Sequence, residues 1–286
     1  MEWRVGRGWT PAELAARLGK LATLERNFTP SATMTPEEGW NQVMSQSQLG
    51  TEAPGPEVEA GPFTDLVHAL STFLYSDPRI VEVHSPEGPL EGRRMLLELK
   101  SVGLHILVPI LVAQVRNELT AKERLFGLCF DTLHGHVEAG REWFLLRKDL
   151  ASGELRFSIR AAWRLGQFPN AWTKLGFRML GKRYQRAWHH LAHVRLREHL
   201  HSSSAGVESS KTPVQFWATR ARRVQGAAGL EKERELDAIE NFVVGDADGR
   251  GGGDEERSTP RTARTGKGEA EEDFALADRL GGTRPP

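Results

Sequence analysis

The sequence predicts an α+β fold in which a long C-terminal helix packs across an antiparallel sheet. Six apolar segments between residues 79 and 164 are joined by short turn-like segments such as SPEGPLEG and DLASGE, which favours consecutive antiparallel strands. One helical pattern precedes these segments, and the longest helical pattern of the chain follows them. The order helix, sheet, helix therefore predicts that the closing helix buries its apolar stripe on the sheet.

Two capping motifs predict short helices near the N-terminus. Thr10-Pro11-Ala12-Glu13 and Thr35-Pro36-Glu37-Glu38 each place Thr at the N-cap, Pro at the first helical position and Glu three residues after the cap. We therefore expect helices at residues 11–25 and 36–48, within an N-terminal helical segment of residues 1–50. Residues 51–62 contain Pro-Gly steps without apolar periodicity and are predicted to be a linker.

Residues 63–204 carry the pattern of the main domain. Apolar residues recur at helical spacing from Phe63 to Leu74, and Asp77-Pro78 is expected to end this helix. Strands are predicted at residues 79–85, 93–101, 104–117, 124–133, 140–149 and 154–164. Alternation is clearest in the last strand, where the residues from Phe157 to Trp163 divide into an apolar face and a polar face.

The closing helix is predicted from Pro169-Asn170 to about residue 201. Its apolar stripe consists of Phe177, Leu180, Tyr184, Ala187, Leu191 and Val194. A basic stripe from Lys174 to Arg186, followed by His189, His190 and His193, is interpreted as a solvated helix face. A helix laid across an antiparallel sheet in this way is a helix-grip arrangement, which often encloses an apolar cavity.

Composition limits the other classes of function. Lys plus Arg and Asp plus Glu balance at 38 each, so no global charge favours nucleic acid, and no nucleic-acid partner is predicted. The longest apolar run, residues 104–115, is too short to span a membrane. A single cysteine, Cys129, and an N-terminus without a signal-peptide pattern favour a cytoplasmic location. Residues 205–286 nearly lack large apolar side chains and are predicted to be mostly disordered.

One segment, FDTLHGHVEAGREWF at residues 130–144, resembles the hallmark of a known family. The matching residues are Thr132, Leu133, Gly135, His136, Glu138, Gly140, Glu142 and Phe144, with Arg183, Tyr184 and Gln185 in the closing helix. Over about residues 60–200 the chain resembles the bacterial and plant family called domain of unknown function 1990. The resemblance implies a START-like helix-grip fold related to lipid-binding domains, and no established reaction. Asp131 and His134 depart from the family's usual pattern.

The polar residues of this segment allow three interpretations. They form a hairpin that closes two strands, they orient a ligand, or they bind a divalent metal through Asp131, His134, His136, Glu138 and Glu142. His-x-His is only a two-ligand fragment, so no metal is predicted. The sequence contains no phosphate loop, dinucleotide motif, HExxH or GxSxG, and no cofactor is predicted.

The leading hypothesis is a binding module, not an enzyme, whose cavity takes a small apolar or amphipathic ligand. The candidate ligand-binding residues are Thr132, His134, His136, Glu138, Glu142, Phe157, Trp163, Leu180 and Tyr184. One alternative is an enzyme that acts on a hydrophobic substrate, with His136 as general acid or base. Another is a scaffold protein that recruits partners through the C-terminal tail.

Overall fold

The computed structural model describes residues 2–31, 33–101, 103–166, 171–203 and 212–221, with the backbone alone at residues 171–183 and 203. Two short 3₁₀ turns lie at Leu21–Thr23 and Pro36–Glu38. The other elements are β1 (Glu2–Val5), α1 (Pro11–Leu18), β2 (Asn41–Thr51), α2 (Pro62–Ser71), β3 (Val81–His84), β4 (Arg94–Ser101), β5 (Leu104–Leu119), β6 (Glu123–Thr132), β7 (Glu138–Asp149), β8 (Glu154–Leu165), α3 (Ala171–Ser203) and β9 (Gln215–Thr219).

The strands of the described chain form one antiparallel sheet in the order β3-β4-β5-β6-β7-β8-β2-β9. The short strand β1 lies off this path and pairs with β5. All six predicted strands are confirmed, with small shifts of their ends. The chain therefore contains the large antiparallel sheet and the long C-terminal helix that its sequence predicts.

The predicted helix at residues 36–48 is wrong. The Glu38 carboxylate accepts the Thr35 N–H at 3.2 Å, as the capping motif requires, but the helix ends after one 3₁₀ turn at Gly39, whose φ is 87°. The next residues form β2, which lies between β8 and β9. The capping motif fixes only the first turn, whereas pairing with β8 from Asn41 to Thr51, and with β9 from Gln42 to Gln46, makes the next segment a strand. Residues 1–50 are therefore not a helical segment.

Helix α1 is shorter than the predicted residues 11–25, and α2 ends before its predicted stop. Thr10 and Glu13 form the predicted capping box, and α1 ends at Leu18 before the C-cap Gly19. Helix α2 ends at Ser71, well before Asp77-Pro78. The reason lies at Phe73, whose φ of 60° is left-handed and incompatible with a continuing α-helix.

The sheet has two differently covered faces. The helix-side face carries Phe130, Phe144 and Phe157, which share one core cluster with residues of α2 and α3. The back face carries the alternate residues, including Cys129 and Trp143, which form a separate cluster. Helix α1 packs on the back face of β4 and β5, against Leu96 and Leu107.

Helix α3 buries a different stripe from the one predicted. In its described part the buried residues are Trp188, His189, Ala192, His193, Leu196 and Leu200. Ala187 is exposed, and Leu191 and Val194 are only partly buried. The interpretation of His189 and His193 as solvated residues is wrong, because both imidazoles face polar partners on the sheet. Phe177 lies outside the residues whose side chains are described.

Part of the predicted disordered tail is ordered. Residues 215–219 form β9, which pairs antiparallel with β2 from Gln42 to Gln46. The other residues of the predicted tail, apart from a few that flank β9, lie outside the described residues. Among the described helices, none is both long enough and apolar enough to cross a membrane.

Candidate ligand-binding site

A cavity of about 120 Å³ lies between the helix-side face of the sheet and α3. One wall is apolar and is contributed by β3, β4 and β5. Its residues are Val81, Val83, Met95, Leu97, Leu99 and Ile110. The opposite wall carries the polar side chains of β7, β8 and α3, so the cavity has an apolar end and a polar end.

The hairpin between β6 and β7 forms part of the polar end. Thr132 Oγ1 accepts the N–H of Gly140 at 2.8 Å and donates to Asn27 Oδ1 at 2.6 Å. The Asn27 side chain in turn donates to the carbonyl of Glu138 at 2.8 Å. The Thr132 hydroxyl is therefore used to hold the hairpin together, as the hairpin interpretation of this segment expects.

His136 presents one ring nitrogen to the hairpin. Its Nδ1 accepts the N–H of Glu138 at 2.9 Å, so this nitrogen carries no proton in that arrangement. Burial lowers the pKa of His136 to about 4, since the charged imidazolium is poorly solvated there. At neutral pH the ring is therefore neutral, and in the other tautomer Nδ1 donates to the Glu138 carbonyl oxygen, which lies 3.1 Å away.

Glu138 and Glu142 lie on the same face of β7 and both line the cavity. Burial, with a smaller contribution from the negative charge of Glu142, raises the pKa of Glu138 to about 8. At neutral pH Glu138 is therefore mainly a neutral carboxylic acid, which can donate a hydrogen bond as well as accept one.

Glu142 is paired with α3. Its Oε1 accepts from Nε2 of His189 at 2.9 Å, and His189 is fully buried. Nδ1 of His189 has no hydrogen-bond partner among the described residues. One helical turn further, His193 lies 3.0 Å from the Ser45 hydroxyl and 2.7 Å from the Ser47 hydroxyl of β2. Two buried histidines thus attach α3 to β7 and β2.

Trp163 forms the part of the wall next to Glu138. Its position depends on Gly140, because a Cβ on Gly140 would lie 2.2 Å from the Ala162 carbonyl oxygen, so only glycine permits the close approach of β7 and β8. This explains the glycine of the Glu-x-Gly pattern. The indole N–H of Trp163 is buried and has no acceptor among the described residues.

Two tyrosines have different roles. The Tyr184 hydroxyl accepts the N–H of Lys100 at 3.1 Å and donates to the carbonyl of Ile80, so it fastens α3 to β4 and to the residue before β3. Tyr75 lines the cavity beside Phe144 and Trp188, and burial raises its pKa well above the usual value. Its hydroxyl is a neutral donor at the cavity.

Six of the nine candidate residues line the cavity, namely Thr132, His136, Glu138, Glu142, Trp163 and Tyr184. His134 is exposed and does not line it. Phe157 is fully buried in the core, where its ring packs against His193 at 4.8 Å, and it does not line the cavity either. Leu180 lies in α3 outside the residues whose side chains are described.

Sequence reasoning misses three features of the site. It assigns His189 to the solvated face of α3, and it gives no role to Tyr75, which lies beyond the helical pattern of α2. It offers Asp131 as a metal ligand, but the buried Asp131 carboxylate is held by Arg26 at 2.6 Å and Arg141 at 2.8 Å. The one signal available for His189 is the spacing of apolar residues around it along α3.

These features define a class of protein: a domain in which one long helix packs over an antiparallel sheet around a small cavity with a polar end. Residues 25–193 match the family described as "Domain of unknown function (DUF1990)", and the chain belongs to this family. The resemblance seen in the sequence is confirmed. The match begins near residue 25 and not near residue 60, so it includes β2.

Several solved structures are similar to this chain. TTHA0849 from Thermus thermophilus is 13% identical, with a TM-score of 0.39, and the match covers 57% of this chain and 99% of that one. The hypothetical protein jhp0584 from Helicobacter pylori is 15% identical, with a TM-score of 0.38 and coverage of 62% and 98%. Major latex-like protein 151 from Panax ginseng is 14% identical, with a TM-score of 0.28 and coverage of 52% and 96%. No curated protein matches the chain.

Proposed function

We propose that this chain is a START-like helix-grip binding module that holds one small amphipathic molecule in the cavity between the sheet and α3. The observation that carries the proposal is Trp163, whose side chain lines the cavity and whose buried indole N–H has no acceptor among the described residues. Buried donors are rarely left unpaired, because each lost hydrogen bond costs about 1–3 kcal/mol. A ligand oxygen at this end of the cavity would satisfy it.

The remaining polar groups specify the chemistry of the ligand. The protonated carboxyl of Glu138 and the hydroxyl of Tyr75 are neutral donors at neutral pH and the His136 imidazole is uncharged, whereas the Glu142 carboxylate is engaged with His189. A cluster of neutral donors favours a hydroxyl or carbonyl oxygen over a cationic group. The ligand class is therefore a small apolar molecule with one such oxygen.

Cavity volume indicates which small probes suit the site. Dry protein cavities of about 150 Å³ admit a guest such as benzene. The cavity of about 120 Å³ between sheet and helix is of this order, so it fits one ring or a short alkyl chain. Phenol, benzyl alcohol and benzaldehyde are suitable probes, and benzene is the matched probe without the oxygen.

A cavity-filling variant tests the proposal. Val83→Phe places a larger side chain in the apolar wall, whereas Val5→Phe makes the same change at an exposed position. We expect phenol to bind the wild type and Val5→Phe equally, to bind more tightly than benzene, and to lose at least about tenfold in affinity with Val83→Phe. Equal binding by both variants, or no binding of any probe by the wild type, would contradict the proposal.

The enzyme alternative, which acts on a hydrophobic substrate, keeps one supporting observation. The pKa of about 8 suits Glu138 as a general acid near neutrality. His136 is less suited to act as the base, because its Nδ1 is engaged and its pKa is lowered to about 4. Hydrolysis of phenyl acetate tests the role of His136. If His136→Ala loses turnover and His134→Ala keeps it, His136 is favoured as a catalytic residue. If both variants keep the turnover of the wild type, His136 has no catalytic role.

The scaffold alternative concerns the residues after β9. A chain that ends at Ala221 keeps β9 paired with β2, whereas one that ends at Ser203 removes it. If the protein is a binding module, phenol binding is unchanged in the chain that ends at Ala221. The scaffold is favoured if the wild type binds no probe and a partner protein binds the full chain but not the chain that ends at Ala221.

A further inference from the structure

A second group of polar residues lies on the back face of the sheet, opposite the cavity. Glu82 and His84 belong to β3 and alternate with Val81 and Val83, which line the cavity. Glu98 of β4 and His105 of β5 complete the group, and together these four residues form the back-face His–Glu cluster. It contains none of the residues of the ligand-binding site.

The donor atoms of the cluster are close together. Nε2 of His84 lies 3.1 Å from Oε2 of Glu98, and Nδ1 of His105 lies 2.7 Å from Oε1 of Glu98. One ligand atom from each of Glu82, His84 and Glu98 lies within 4.8 Å of the other two. Three adjacent strands thus aim imidazole and carboxylate groups at one point.

Two carboxylates of the cluster lie next to each other. Glu82 and Glu98 are directly opposite each other in the pairing of β3 with β4, and the Glu98 side chain is only 4% exposed. Like charges in that position repel, and a buried carboxylate needs compensation. Lys100 supplies one positive charge, with its Nζ at 2.5 Å from Glu82. A divalent cation between the two carboxylates would reduce their repulsion further.

The distances distinguish ligands from supporting groups. Two ligands of a tetrahedral zinc ion, each about 2.0–2.2 Å from the metal, lie about 3.3 Å apart. The 3.1 Å between His84 and Glu98 is a hydrogen-bond distance that also lies close to this separation, whereas the 2.7 Å between His105 and Glu98 is too short for two ligands of one ion. His105 therefore orients the Glu98 carboxylate, as outer groups do in many zinc sites.

We infer that the back-face His–Glu cluster is a Zn²⁺ site whose protein ligands are Glu82, His84 and Glu98, with His105 as a positioning residue. Neutral imidazole and carboxylate are a donor set that zinc accepts, and three protein ligands leave a fourth position for water. Glu82 and His84 are partly exposed, so the ion can enter from solvent.

Titration of tag-free, chelator-treated protein with Zn²⁺ alone tests the inference by calorimetry. We expect one equivalent to bind with a dissociation constant of micromolar order or tighter. His84→Ala and Glu82→Gln should weaken binding at least about 100-fold, and His105→Gln about 10-fold to 100-fold. His68→Ala removes an exposed histidine outside the cluster and should change nothing. Glu82 is 42% exposed, so Glu82→Gln should fold even if His84→Ala does not.

Lys100→Met should increase the affinity for Zn²⁺, a result that misfolding cannot produce. The ammonium of Lys100 competes with the metal for Glu82, so removing it should tighten Zn²⁺ binding several-fold. Binding at one equivalent that survives both His84→Ala and Glu82→Gln would overturn the inference, because the ion would then be held elsewhere. Failure of the wild type to bind Zn²⁺ at micromolar concentrations would also overturn it.

Discussion

Nε2–H of His189 donates a hydrogen bond to Oε1 of Glu142 over 2.9 Å and joins α3 to β7 at the wall of the cavity. His189 is fully buried, whereas the Glu142 side chain is 26% exposed. The pair therefore fixes both the height of the helix above the sheet and the orientation of the Glu142 carboxylate at the polar end.

Loss of this pair should destabilise the fold. His189→Ala removes a buried ring and leaves Glu142 without its donor, so we expect the free energy of unfolding to fall by about 2–4 kcal/mol. His190→Ala changes the exposed neighbour and should alter it by less than about 0.5 kcal/mol. Urea unfolding measures both variants. Equal effects of the two substitutions would show that the pair does not hold α3 in place.

The His193 imidazole predicts a loss of stability in mild acid. Burial lowers the pKa of His193 from 6.5 to about 3, so the unfolded chain binds a proton below pH 6.5 that the native protein does not. Native stability therefore falls as the pH decreases, by up to about 2 kcal/mol between about pH 6.5 and pH 5. His136 acts in the same direction, because its pKa is lowered to about 4.

The matched comparison is His193→Asn against His190→Asn. The first variant should lose less stability than the wild type between about pH 7 and pH 5, because its side chain at position 193 does not titrate. The second should follow the wild type, since His190 is exposed. Identical pH profiles for all three proteins would mean that His193 is protonated in the native state.

The Glu138 carboxyl predicts the opposite dependence. Its pKa is raised from 4.5 to about 8, so the native protein keeps a proton that the unfolded chain releases above pH 4.5. This costs stability increasingly as the pH rises from 4.5 to 8. Glu138→Gln should therefore stabilise the protein by about 2–3 kcal/mol at about pH 7 and by almost nothing at about pH 4.5. A constant difference between the two proteins across this range would contradict the raised pKa.

Local patterns predict most of the sheet and the existence of α3. The strands from β3 to β8 follow one another with short connections, so alternation within each segment is sufficient to find them. The strand β2 cannot be found in this way. Its capping motif at Thr35 indicates a helix, and only pairing with the distant β8 reveals a strand, for example through Ser45 opposite Ile159.

The candidate site is predictable in part for a related reason. Residues of the β6–β7 hairpin are close in sequence, so His136, Glu138 and Glu142 can be grouped from the sequence alone. His189 and His193 cannot be assigned in this way, because histidine is compatible with a solvated or a buried helix face. Their partners, Glu142 and Ser47, are distant in sequence, and the choice depends on those contacts.

The central claim is that the space between the sheet and α3 accepts a small guest. A titration of methyl-labelled protein with phenol, followed by NMR, tests it most directly. We predict saturable shifts at Leu97, Leu99 and Ile110 of the cavity wall, and no shifts at Leu125 and Leu145 of the back face. Shifts confined to the back face, or no saturable shift at Leu97, Leu99 and Ile110, would contradict the account.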